Sequence, residues 1–211
     1  MQQHIRIKIC GITRPEDAVC AARFGADAVG LVFYHASKRR VLPPQAAEIV
    51  SALPPFVGTV GLFVNESAER IGDILAQVPL DVLQFHGDET PEFCRQFRRP
   101  YLKAVRVRHA DDVCRALRDY ADARGVLLDA HVAGEYGGTG QCFDWSLLPQ
   151  DLAGNWILSG GLNPHNITAA LAQTGAAAVD VSSGVEAAAG IKCPHKMADF
   201  IARCRQAHHR L

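Results

Sequence analysis

The sequence predicts a single (β/α)8 barrel, and three observations carry that expectation. Eight short runs rich in Val, Ile and Leu alternate with stretches of helical periodicity along the 211 residues. The runs are apolar almost throughout instead of alternating, as expected of parallel strands covered on both faces. Polar or reactive residues end several different runs: Cys10, His86, Asp129, Gly160 and Asp180. An open doubly wound sheet would gather its chemistry at one switch point, whereas a barrel brings all eight strand ends to one mouth. The length stands near the lower end for that fold, roughly 200 residues. No Ser/Pro-rich linker divides the chain, so residues 1–211 are expected to form one domain.

The first strand is expected over Ile5–Cys10, with a helix over 14–24. Thr13-Arg14-Pro15-Glu16 reads as its capping box, with Thr13 as N-cap and Glu16 reaching back. Ala28–Phe33 is followed by a helix over 43–52, Val57–Val64 by one over 67–77, and Asp81–Phe85 by one over 90–97. Tyr101–Val107 precedes a helix over 110–119, and Gly125–Asp129 only a short, weak helical stretch near 144–149. Trp156–Ser159 leads to a helix over 164–173. Asn163 is its expected N-cap and Pro164 its first residue, where a missing N–H costs nothing. Ala177–Val181 and a helix over 194–206 complete the pattern of βαβ crossovers. An internal echo supports repetition: Gly25-Ala26-Asp27-Ala28-Val29 resembles Gly175-Ala176-Ala177-Ala178-Val179, each a Gly between a helix and a strand.

Composition excludes several classes. With 48% hydrophobic residues the chain has the apolar surface that a disordered chain lacks. Lys and Arg number 22 against 22 Asp and Glu, so no cationic excess exists for binding a nucleic-acid backbone. The apolar runs are too short to span a bilayer, and the opening Met1-Gln2-Gln3-His4 has no signal-peptide layout. Seven widely spaced cysteines without a CxxC pair suggest neither a disulfide framework nor a zinc site. A cytoplasmic protein is therefore expected, with Cys20, Cys94, Cys114 and Cys204 as small core residues of helices. His165, His195, His208 and His209 are expected at the surface, and no metal-ligand spacing such as HExxH occurs.

Two loops suggest a phosphorylated small-molecule ligand. Ser159-Gly160-Gly161-Leu162-Asn163-Pro164 follows the seventh strand, and Asp180-Val181-Ser182-Ser183-Gly184-Val185-Glu186 closes the eighth. A double glycine alone is often just a tight turn, but loops after strands seven and eight are the usual phosphate seat of these barrels. Cys10 in an apolar run would ordinarily be inert. At a barrel lip beside a helix start, where dipole and cations lower a thiol's pKa, it becomes a candidate general base. Asp129 either caps a turn or acts as an acid, since desolvation in an apolar mouth favours a protonated carboxyl. Tyr136-Gly137-Gly138-Thr139-Gly140 is glycine-dense, as expected of a loop that moves or lets a ligand approach closely. Ser37-Lys38-Arg39-Arg40 is either a solvated loop or an Arg fork for a substrate anion. His86 is a polar contact or a satisfied strand-end histidine.

These motifs, in this order, resemble the phosphoribosylanthranilate isomerases of tryptophan biosynthesis. The likeness runs from Lys8-Ile9-Cys10-Gly11-Ile12-Thr13 and Gly25–Gly30 through Phe63-Val64-Asn65, Gln84-Phe85-His86-Gly87 and Leu127-Leu128-Asp129. It continues through Gly137–Gly140, Phe143-Asp144-Trp145, Ser159–Pro164 and Asp180–Glu186. The resemblance implies an Amadori rearrangement that needs neither cofactor nor metal, with Asp129 as general acid and Cys10 as general base. It assigns Arg39 to the anthranilate carboxylate and His86 and Asp180 to the ribosylamine region. The phosphate falls to backbone groups of Gly160, Gly161, Ser183 and Gly184. It departs from the family at Arg40, where an aromatic residue is frequent, so either Arg39 or Arg40 could take the carboxylate. The chain is expected as a monomer or homodimer.

Rival barrels fit less well. The aminoimidazole ribonucleotide isomerase of histidine biosynthesis uses two carboxylates, which Cys10 argues against. Pentose-phosphate epimerases need metal-ligand histidines on several strands. Indole-glycerol-phosphate synthase needs a catalytic lysine, for which Lys8, two residues before the strand end, is a poor substitute. A non-catalytic metabolite binder would need the phosphate loops but no acid–base pair.

Overall fold

Eight parallel strands close into a barrel in the computed structural model, which describes residues 4–130, 144–149, 152 and 154–207. They are β1 (Arg6–Cys10), β2 (Ala28–Val32), β3 (Gly58–Phe63), β4 (Val82–Phe85), β5 (Tyr101–Val107), β6 (Gly125–Ala130), β7 (Trp156–Leu158) and β8 (Ala178–Val181). Each pairs with its sequence neighbours, and β1 closes on β8 in a register running from Arg6 opposite Ala178 to Ile9 opposite Val181. The strands all fall within the apolar runs to within a residue or two at each end.

Among the described residues, seven α-helices surround the barrel: α1 (Pro15–Phe24), α2 (Pro43–Ser51), α3 (Ala68–Gln77), α4 (Pro91–Arg95), α5 (Ala110–Asp119), α6 (Ile167–Thr174) and α7 (Pro194–Ala207). The weak candidate near 144–149 is a short 3-10 turn over Trp145–Leu147. Alternation along each strand divides the side chains. Ile7, Ile9, Val29, Leu31, Phe63 and Phe85 belong to the main core packed under the helices. Cys10, Val32 and Leu62 form a separate small cluster toward the mouth. Among the described residues, no helix is long and apolar enough to cross a membrane.

Local chemistry explains several helix ends, and two starts differ from expectation. Ser67 and Thr90 cap α3 and α4 by accepting the backbone N–H of Arg70 and Phe93. Gly25 and Gly175 end α1 and α6 in the left-handed region (φ 99° and 64°), which explains the repeated Gly before a strand. The capping box at Thr13 does not form. Pro15 at the first helical position makes Arg14 the N-cap, and the Thr13 hydroxyl donates instead to the Gly190 carbonyl. Asn163 and Pro164 likewise precede a turn, and α6 starts at Ile167 after Asn166.

A small antiparallel hairpin that the sequence reading missed, β9 (Glu186–Ala188) with β10 (Ile191–Lys192), follows β8. It is fastened to α1 where Asp17 accepts the Lys192 backbone N–H at 3.0 Å. Of the cysteines expected in helix cores, Cys94 and Cys204 are buried, and burial pushes both thiols up to about 12. Cys20 is only half-buried, and Cys114 is exposed on the outer face of α5.

A buried ion pair braces the loops after β3 and β4. The Lys103 ammonium donates to Glu89 at 3.0 Å and to the carbonyl of Gly87. Glu89 in turn accepts the backbone N–H of Asn65 at 2.7 Å and of Gly87 at 2.9 Å. Removing one partner of such a pair leaves an uncompensated charge in the interior. Lys103→Met is accordingly expected to cost about 3–5 kcal/mol of stability, read as a lower urea midpoint of unfolding.

Candidate active site

The residues that end the strands meet at one mouth. Cys10 from β1, His86 just after β4, Asp129 from β6 and Asp180 from β8 line a single cavity with Arg39 of the loop after β2. Tyr34, Ser37, Ser159 and Ser182 complete its polar wall. A larger cavity of about 320 Å³ lies outside the barrel beside α5, lined by Lys103, Arg106, Asp112 and Tyr120. None of the polar strand ends lines it, so chemistry and not size selects the mouth as the site.

Cys10 sits in a seat made by its neighbours. A side chain at Gly30, its register partner on β2, would come within 2.8 Å of the thiol sulfur. The expected lowering of its pKa is not what the surroundings produce. Burial pushes the thiol up, and although Lys8 and Lys192 pull it down, it stays above the ordinary thiol range. The first helix turn that was expected to favour the thiolate lies five residues on, at Pro15. Lys8, two residues before Cys10, shares its face of β1 and donates to Asp180 at 2.8 Å, with both groups buried. Burial pulls the Lys8 ammonium down, but Asp180 and Cys10 more than offset it.

Asp129 is buried, but its immediate surroundings are polar. One carboxylate oxygen accepts the backbone N–H of Ala130 at 2.9 Å, and the other lies 3.1 Å from Nε2 of His86. Nδ1 of His86 meets the amide nitrogen of the buried Gln84 at 3.0 Å. Thus His86 is a partner of the candidate acid.

The two candidate carboxylate binders separate cleanly. Arg39 faces the cavity, whereas Arg40 is exposed and bridges to Val32. Arg39 carries a constraint that the sequence did not announce: its fork donates to Glu186 through Nε and Nη2, each at 2.8 Å. Glu186 also accepts from the buried Lys192 ammonium at 2.9 Å. Burial pushes the Glu186 carboxyl up, but Arg39 and Lys192 reverse that and hold it below the usual carboxylate range. One carboxylate thus faces two cations.

Gly160 and Gly161 both take the left-handed backbone (φ 82° and 62°) that the double glycine suggested. Asn163 and Asn166 brace this turn by donating to the Gly161 carbonyl at 3.2 Å and 3.0 Å. The loop after β8 packs directly on it, since a side chain at Gly184 would strike the Leu162 carbonyl. Gly160, Gly161, Ser183 and Gly184 flank the cavity without lining it; their neighbours Ser159 and Ser182 reach it. The glycine-dense segment at 136–140 lies outside the described residues.

A thiol and a carboxyl group from two non-adjacent strands share one mouth beside a pair of interlocked glycine loops, the layout of a barrel enzyme with its polar groups gathered at the strand ends. Comparison with known proteins narrows that class. The sequence profile of the N-(5'phosphoribosyl)anthranilate (PRA) isomerase family matches residues 7–203. An N-(5'-phosphoribosyl)anthranilate isomerase of Neisseria meningitidis serogroup A is 57% identical over 198 residues, covering 94% of this chain and 95% of its own. The crystal structure of phosphoribosyl anthranilate isomerase from Thermotoga maritima matches with a TM-score of 0.87 at 44% identity, over 96% of this chain and 99% of that one. A further crystal structure, of the isomerase in complex with reduced 1-(o-carboxyphenylamino)-1-deoxyribulose 5-phosphate, matches at 0.82 and 42% identity over the same shares. The chain belongs to the phosphoribosylanthranilate isomerase family.

Proposed function

We infer that this chain catalyses the Amadori rearrangement of N-(5'-phosphoribosyl)anthranilate to 1-(2-carboxyphenylamino)-1-deoxyribulose 5-phosphate, the isomerisation step of tryptophan biosynthesis. The observation that carries the reading is the presence of Cys10 and Asp129 in one cavity of a family member. The reaction moves protons without net oxidation or loss of atoms. Asp129 gives a proton to the ribose ring oxygen, and the C1′–O bond breaks to leave a Schiff base. Cys10, as thiolate, takes the proton from C2′, and the resulting enolamine tautomerises to the ketone. The reading puts the enzyme in the cytoplasm, where its thiols stay reduced.

The remaining residues hold the substrate. Backbone groups of Gly160, Gly161, Ser183 and Gly184 take the phosphate, as glycine turns let the main chain come close to an anion. His86 and Asp180 border the ribosylamine. Arg39, with two of its donors committed to Glu186, turns the rest of its guanidinium to the anthranilate carboxylate. If that contact is equal in ground and transition states, Arg39→Ala raises KM and changes kcat little.

The test is a steady-state assay with the purified full chain and freshly formed substrate. Anthranilate fluorescence should fall as the substrate rearranges. A chain that is folded but leaves the fluorescence unchanged would overturn the reading.

A further inference from the structure

Among the described residues, the amide oxygen of Gln84 is one of two buried side-chain polar atoms without a hydrogen-bond partner, and it sits one bond away from the candidate acid's network. Gln84 is wholly buried on β4 and shares a face with His86, two residues on. Its register partners on β3 and β5, Leu62 and Leu102, offer nothing polar. Its amide nitrogen therefore spends a donor on Nδ1 of His86, at 3.0 Å, and its oxygen is left with no bond. An N–H group directed at Nδ1 requires a lone pair there, so the ring proton resides on Nε2. That proton points to the Asp129 carboxylate 3.1 Å away.

We propose that Gln84 is a positioning residue for the acid, fixing the His86 tautomer whose Nε2–H is donated to Asp129. The ionisable groups that face the pair across the mouth are Cys10, Tyr34, Arg39 and Asp180, the last with Lys8 bound to it. The proposal rests on the acid role given to Asp129.

The test compares the full-length wild type with Gln84→Met, which keeps the bulk but not the donor, and Gln84→Glu, which presents an acceptor to Nδ1. The ring nitrogen NMR shifts of His86 read the tautomer without any turnover. The wild type at pH 8 should carry its proton on Nε2. Gln84→Glu should move it to Nδ1 or protonate both nitrogens, and Gln84→Met should give a mixture. In the fluorescence assay both variants should lose kcat about tenfold, short of the ~100-fold typical of removing an acid outright. KM should barely change, and the pH at which kcat/KM falls should shift. An Nδ1 proton in the wild type at pH 8 would overturn the proposal even if both variants failed to fold. Variants with unmoved ring shifts and an unmoved pH profile would do the same. A silent wild-type assay with an Nε2 proton would instead count against the isomerase reading alone.

Discussion

Asp129→Asn is expected to lower kcat at least about a hundredfold, the usual cost of losing a general acid or base. The substitution is nearly isosteric and leaves an oxygen to accept the Ala130 N–H at the 2.9 Å position. What disappears is a dissociable proton. A substrate whose ring oxygen is never protonated stays a closed furanose, so the block falls on the chemical step and KM should change far less. His86 loses its carboxylate partner in the same variant but keeps Gln84 on its other nitrogen. Steady-state fluorescence separates kcat from KM; a variant turning over at the wild-type rate would remove Asp129 from the mechanism.

Cys10→Ala carries an expectation of the same size, again at least about a hundredfold in kcat, and its physical basis has a second measurable side. Burial raises the thiol above the ordinary range, with Lys8 and Lys192 only partly compensating. A group shifted in that direction is a stronger base once ionised but is ionised less often at neutrality. The sign is therefore fixed. Alkylation by iodoacetamide should be slow at pH 7 and accelerate as pH rises through and beyond the ordinary thiol range, and kcat/KM should rise with pH on its acid side. An alkylation rate already at its plateau near pH 7 would contradict the surroundings described for Cys10. Ala at this position removes one sulfur from a small cluster with Val32, Leu62 and Val64, so folding should survive.

The fold was readable because its strands are coded by solid apolar runs and its helices by periodicity, signals that survive without any knowledge of neighbours. The order of strand ends then gave the mouth. What stayed hidden are single polar residues embedded in apolar strands. Lys8 and Gln84 each precede a recognised site residue by two positions, and the period of a strand puts them on the same inward face. That spacing was the available signal, and it was outweighed by the apolar character of the runs. Glu186 could not have been assigned to Arg39 from sequence, because 147 residues separate them and closure alone brings them together. The hairpin of β9 and β10 escaped because three residues paired with two leave no pattern. Capping failed at Thr13 for a local reason: Pro15 claims the first helical position, and the hydroxyl finds Gly190 instead.

The ion pair between Lys8 and Asp180 has a bearing on biosynthesis. At roughly 5–20 residues per second, the sequence separation of 172 between the two groups keeps the nascent Lys8 without its partner for on the order of ten seconds. Until β8 emerges from the ribosome, an ammonium destined for the interior has no anion to meet there, and the first strand has an open edge. A prematurely terminated product lacking β8 would therefore be inert, and it would also be poorly sealed and a natural target for chaperones and proteases. Competence arrives late, and all at once.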